Sequence, residues 1–240
     1  MTNTLLINKS IFFGVLIFLI NEVYFLIIII FLLCFGLYLS IYIKSLYITK
    51  LFIELILPFL ILDLFFIYFL SGINIFVFYF KIDNFFILFK VILFFFLYFC
   101  LYLSRFYFIL EKIKFFEFII IILLSIESSI FILLSMNLFF IYIFFEIQNL
   151  CYYILTILKK YNNFSVEAGL KYFLFGSFSS SLMLFGISLF YSLLGTLELY
   201  DMFYIFINFN YKNNNFLIFI AMFYFLCGLF LKLGSVPFHR

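Results

Sequence analysis

The chain has 240 residues, of which 69% are hydrophobic and 10% charged, with a mean hydropathy of +1.35 and a formal net charge of +3. Apolar runs of about twenty residues recur along it, which excludes a soluble globular domain and implies a polytopic helical membrane protein. Those runs do not alternate with polar residues as barrel strands do, and no small-residue cleavage site follows the first one, so neither a β-barrel nor a removable signal peptide is expected.

Residue choice adds to this. Phe occurs 46 times and Tyr 19 times, while Trp is absent and only two Pro are present. Ala is confined to Ala168 and Ala221, and Arg to Arg105 and Arg240. Depletion of residues with GC-rich codons points to an AT-biased genome. An organellar genome is the economical explanation for so apolar a protein, although an AT-rich bacterium would look the same. Cys34, Cys100, Cys151 and Cys227 are scattered through apolar segments without a C-x-x-C pair, and read as small buried hydrophobes. There is no G-x-G-x-x-G, P-loop or H-E-x-x-H motif, so no cofactor, metal, nucleotide or redox site is expected in this chain.

In chain order, hydropathy predicts seven spans, at about 22–43, 51–70, 85–104, 116–135, 137–158, 169–194 and 216–231, the last followed by an irregular tail. Asn21 and Glu22 separate the first span from a short N-terminal helix over 11–20. Pro58 predicts a kink in the second span. Ser165 is the expected cap of the sixth, with Glu167 in its first turn near the positive end of the helix dipole. Asn208 to Asn215 is expected to be the longest polar loop. Loops on the N-terminal side carry Lys9, Lys81 and Lys212, against Lys44, Lys50, Arg105, Lys112, Lys114, Lys159, Lys160 and Lys171 on the other. Positive charge collects on the side that stays in, so the N-terminus is expected outside.

Ionisable residues at mid-bilayer cost about 2.5–3.5 kcal/mol each on insertion scales and are therefore functional candidates. They are Asp63, Lys90, Glu127, Glu146 and Lys232, with Lys171 near a helix start. Glu146 lies mid-span and is followed by Gln148 and Asn149, with Tyr142 and Tyr153 extending its face, a polar stripe suited to water or a proton. Lys232 follows Gly228 and precedes Gly234, Ser235 and Pro237, so its helix is expected to break just beyond it, a common way to present a charge at membrane depth. A snorkelling terminal lysine is the bland alternative. Lys171 either reaches the membrane surface or joins the path. Beside it Gly176, Ser179, Ser180, Met183 and Gly186 form a small-residue face that reads as helix packing rather than conduction. Asp63 and Glu127 read as paired structural acids, and Lys90 either snorkels or lines a path. His239, the sole histidine, is as well suited to a surface or partner contact as to a proton relay.

The runs EIQNLCYYILTILKK, SVEAGLKYFLFGSFSSSLMLFGISLFYSLLGT and LFLKLGSVPFH resemble the antiporter-like membrane subunits of mitochondrial NADH:ubiquinone oxidoreductase, complex I, and among them subunit 2. The similarity covers roughly residues 80–240, and Glu-Ala-Gly-Leu-Lys-Tyr-Phe and Lys-x-x-x-Val-Pro-Phe-His are its specific signatures. The resemblance implies an all-α polytopic membrane protein of about seven transmembrane helices, the last one broken, with a partial antiporter-like fold. It further implies three helices in 1–115 and an incomplete first repeat, four helices of five, in 116–240. It assigns the proton pathway to Glu146, Lys171 and Lys232, and Lys90 matches a lysine that many members carry; His239 and Glu127 are further candidates from the residues alone. Glu127 falls where relatives carry an uncharged residue. Because the family's sequences continue past Pro-Phe-His, a second polypeptide is expected against Pro237–Arg240, alongside lipid and other complex I membrane-arm subunits, and no nucleic acid. The expected location is the mitochondrial inner membrane, with the N-terminus toward the intermembrane space. Two other readings remain at this stage: a secondary cation/proton antiporter subunit, and a non-conducting structural subunit that bridges pump modules.

Overall fold

The computed structural model describes residues 27, 29–31, 75–77, 80–111, 115–159, 162–208 and 215–234. The chain forms two compact units, Met1–Leu134 and Ser135–Arg240. Most of the expected spans 22–43 and 51–70, with Pro58, Asp63, His239 and the tail Pro237–Arg240, lie outside the described residues.

In the first unit, β1 (Ile75–Val77) and β2 (Phe80–Ile82) pair antiparallel, Ile75 opposite Ile82 and Val77 opposite Phe80. This hairpin is a small departure from the all-helical expectation. Two helices follow, α1 (Asn84–Glu111) and α2 (Phe115–Leu134), packed on one another. On α1 the buried residues are Phe86, Lys90, Phe94, Leu97 and Leu101, spaced at the three and four residues that mark one helix face. On α2 the matching face is Ile119, Ile122, Leu123, Ile130 and Leu134. The buried hydroxyls of Ser125 and Ser128 donate to carbonyls one turn back, at 2.8 and 2.7 Å, so no polar group of theirs is stranded in hydrocarbon.

The second unit holds α3 (Leu138–Thr156), α4 (Asn163–Leu194), α5 (Leu199–Asn208) and α6 (Asn215–Leu233). Asn137 caps α3 by accepting from the Phe139 amide at 2.9 Å. An isolated antiparallel bridge between Asn137 and Glu198 ties the start of α3 to that of α5, since Leu138 N donates to Leu197 O and Leu199 N donates to Met136 O. Helix α4 begins six residues earlier than hydropathy places it. Its cap is Asn162, which accepts from Phe164 N at 3.1 Å; the expected cap, Ser165, instead donates its hydroxyl to Lys159 O at 2.6 Å. At 32 residues α4 is about 48 Å long, far more than the about 30 Å hydrocarbon core, so it must project beyond one face or tilt. Gly195, at φ 75, ends it in the left-handed conformation that costs glycine least.

Helix α5 lies between the expected sixth and seventh spans, where no element was predicted. Ten residues are too few to span and too apolar to look like a loop, and Asp201 sits in its first turn, where the helix dipole favours an acid. Met202 enters a cluster with Leu138, Phe190 and Ala221, around which Leu197, Phe206, Ile218 and Phe225 pack. This core joins all four helices of the unit at the end away from the charges.

Candidate functional site

The site depends on two close helix crossings. Between α4 and α6, each helix contributes one glycine. A Cβ at Gly186 would lie 2.7 Å from the Phe225 backbone nitrogen, and one at Gly228 would lie 2.7 Å from the Ser179 carbonyl oxygen and 2.9 Å from the Met183 nitrogen. Small residues permit such backbone approach in membranes, where dispersion rather than hydrophobic burial holds helices together. Between α3 and α4 the contact is made by a side chain: the Tyr153 hydroxyl occupies the place a Cβ on Gly176 would take. Tyr153 also meets the rings of Tyr172 and Phe173 edge-on, at 5.0 and 5.4 Å. The expected small face of α4 is therefore a packing face on both sides, with Gly176, Ser179, Ser180, Met183 and Gly186 all buried.

These crossings bring Lys232 of α6 to Glu146 of α3. The Lys232 ammonium donates to Glu146 Oε1 at 2.7 Å, from a side chain only 7% exposed to one that is 30% exposed. Gly228, one turn before Lys232, lets α6 lie against α4 closely enough for the lysine to reach across to α3. The ammonium also stands over the rings of Tyr142 and Phe145, 5.7 and 5.6 Å from their centroids, so aromatic faces share its charge with the carboxylate. Tyr142 in turn lies beside Ser180 of α4, whose hydroxyl donates to Ser177 O at 2.8 Å. Helix α6 stops at Leu233, and Gly234 takes φ 63, so the chain leaves helical conformation two residues beyond the lysine, where the break was expected.

Within this unit, Lys171 does not join the pair. Lys171 lies in the third turn of α4 and pairs with Glu167 of the same helix, both well exposed at 67% and 59%. Lys90 and Glu127 belong to the first unit, each only 2% exposed, with Lys90 5.7 Å from the Phe94 ring centroid. His239 is outside the described residues. Of the polar stripe on α3, Asn149 and Tyr153 are buried as the helical spacing predicts, whereas Gln148 lies on another face and donates to Tyr152 at 2.9 Å. Among the described residues no three His, Cys, Asp or Glu side chains are placed to hold a metal ion. The aromatic flank of Lys232 was not anticipated from sequence; its signal is only that Tyr142 and Phe145 stand four and one residues before Glu146.

Residues 135–240, the segment holding this pair, match the family model for the transmembrane region of NADH:quinone oxidoreductase and Mrp antiporter subunits. That segment is similar to the antiporter-like subunits. Its boundary coincides with that of the second compact unit, so the family match and the fold describe the same piece. The chain is similar to NADH-ubiquinone oxidoreductase chain 2 of Marchantia polymorpha, 36% identical over 127 residues, or 52% of this chain and 26% of that protein. Subunit N 2 of the NADH-quinone oxidoreductase of Acidobacterium capsulatum is 35% identical over 123 residues, 51% of this chain and 24% of that protein. The chain thus aligns with about a quarter of the length of these relatives. In fold it resembles a chain of respiratory complex I from Thermus thermophilus, with a TM-score of 0.70 over 91% of this chain and 45% of that one, at 20% identity. A chain of an archaeal membrane-bound sulfane sulfur reductase superposes with a TM-score of 0.61 over 81% of this chain and 43% of that one, at 19% identity. The architecture expected from sequence, a helical polytopic membrane protein with a partial antiporter-like fold, is the one observed.

Proposed function

We propose that this chain is a proton-translocating membrane-arm subunit of respiratory complex I in the mitochondrial inner membrane, moving protons through Glu146 and Lys232 while NADH:ubiquinone oxidoreduction proceeds in other subunits. The observation that carries this reading is the 2.7 Å ion pair between α3 and α6. An acid and a base held together inside a membrane segment can exchange, gain and release protons as the distance between them changes, with no redox group of their own. Lys171, exposed beside Glu167, serves in this reading as the station nearest the aqueous face, and the basic loops set the N-terminus toward the intermembrane space. Lys90 and Glu127, buried in the first unit, serve packing rather than the main path.

The partner expected at Pro237–Arg240 belongs to the same proposal. Helix α6 ends at Leu233 close to the depth of the ion pair, and the last carbonyls of a helix need hydrogen-bond partners where water is scarce. A second polypeptide covering this end would supply them, and cross-linking from Lys232 or Gly234 replaced by a photoreactive residue in the intact complex would identify it. The reading as a whole is tested by Glu146→Gln and Lys232→Met in the assembled complex. Complex that assembles normally and oxidises NADH with unchanged proton pumping would favour a scaffold. Purification of the chain with no quinone-reducing partner would favour a secondary antiporter, a reading kept alive by the family model, which spans both kinds of protein.

A further inference from the structure

Asn149 is a polar group of the α3 stripe that the ion pair does not use. It stands one turn from Glu146 and is only 9% exposed, and its amide Nδ2 has no hydrogen-bond partner within the protein. A buried amide left so is unfavourable, and ordered water is the usual remedy where polar groups converge. They converge here. The Tyr153 hydroxyl, carried one turn beyond Asn149 on the same face, reaches Gly176 on α4, where the glycine offers no side chain of its own. Gly176 is five residues from Lys171, about 7.5 Å along the axis, and four residues from Ser180, which adjoins Tyr142 beside Glu146. The Asn149–Tyr153 level therefore lies between the surface lysine and the buried ion pair.

We propose that Asn149 and Tyr153 hold an ordered water in the seam between α3 and α4, and that this water hands protons between the Lys171 end of the seam and the Glu146–Lys232 pair. The inference rests on the proton-translocating reading above. In each transfer the water oxygen takes one proton on a lone pair and releases another to the Glu146 carboxylate, so the water ends as it began. Asn149 donates its Nδ2–H to the water oxygen, and Tyr153 fixes the water from the other side. Both are positioning residues and neither changes protonation state.

The test uses the assembled complex in proteoliposomes, with proton uptake followed by a pH-sensitive dye and assembly followed on native gels. Asn149→Leu and Tyr153→Phe keep nearly the parental volume and are expected to pump about tenfold more slowly, as misplaced proton carriers do, while Asn149→Ser, which retains a hydrogen-bonding group, keeps at least about half the rate. A solvent deuterium isotope effect on pumping larger in Tyr153→Phe than in the parent is also expected, because a change in packing alone does not raise it. Pumping at the parental rate in either Asn149→Leu or Tyr153→Phe overturns the proposal, as does Asn149→Ser being as slow as Asn149→Leu. If Asn149→Leu fails to assemble, Tyr153→Phe, which deletes a single oxygen, decides alone. Glu146→Gln measured alongside separates the two levels. A parental rate in that variant refutes the proton-translocating reading itself, whereas a slow Glu146→Gln beside fast Asn149→Leu and Tyr153→Phe refutes only the water seam.

Discussion

Charge removed from one side of the Glu146–Lys232 pair should do more harm to stability than charge removed from both. At 2.7 Å and an effective dielectric of about 20, the Coulomb attraction is about 6 kcal/mol before desolvation is counted. Desolvating Lys232, 7% exposed, offsets much of it, while Glu146 at 30% exposure loses less. Glu146→Gln then leaves a buried ammonium facing a neutral amide and two aromatic rings, and should destabilise the chain by about 3 kcal/mol. Lys232→Met leaves the better exposed carboxylate alone and should cost somewhat less. In the double variant no buried charge remains, and stability should return to within about 1 kcal/mol of the parent. Pumping, by contrast, should be lost in all three. The assay is a double-mutant cycle on the heat-inactivation midpoint of the purified complex, run beside dye-monitored pumping. Additive losses of stability would refute the reasoning, since they would mean that the two side chains do not act on each other.

Lys171→Met should change stability by less than about 0.5 kcal/mol, because an exposed i,i+4 pair is weak, yet pumping should fall; unchanged pumping would remove Lys171 from the path. Gly228→Ala places a methyl 2.4 Å from Met183 Cγ and 2.7 Å from the Ser179 carbonyl, and since backbone cannot give way as a side chain can, it should cost about 1–3 kcal/mol and slow pumping by displacing Lys232. Met202→Ala, remote from the charges in the four-helix core, should lower the inactivation midpoint in line with a loss of about 2–5 kcal/mol while pumping per assembled complex stays at the parental level.

The ion pair was legible in the sequence because membranes make a mid-span Glu and Lys conspicuous, and the break after Lys232 because Gly234 stands two residues beyond it. The small face of α4 was legible for the same reason, since glycines and serines gather where backbones approach. What hydropathy missed follows from what it measures. A window of span length cannot resolve a ten-residue helix such as α5. It also loses the first turns of α4, where Asn163, Ser165 and Glu167 are polar yet helical. The choice between Asn162 and Ser165 as cap turns on backbone geometry at a single residue, which composition does not carry. That Lys171 pairs within its own helix, four residues from Glu167, could have been read from spacing; its distance from the Glu146 level depends on the register of α3 against α4, which no single segment encodes.

The two crossings differ in stiffness. Gly186 and Gly228 set backbone against backbone, whereas α3 meets α4 through the tip of one tyrosine and through Ile157 and Thr156 against Gly169. A side chain can swing by changing rotamer; abutting main chains slide only by breaking contact along their length. Helices α4 and α6 therefore form a stiff blade that carries Lys232, and α3 is the compliant arm that carries Glu146. Any mechanical signal that opens and closes the pair should arrive through α3, with its pivot at the bridge that ties Met136 and Leu138 to Leu197 and Leu199.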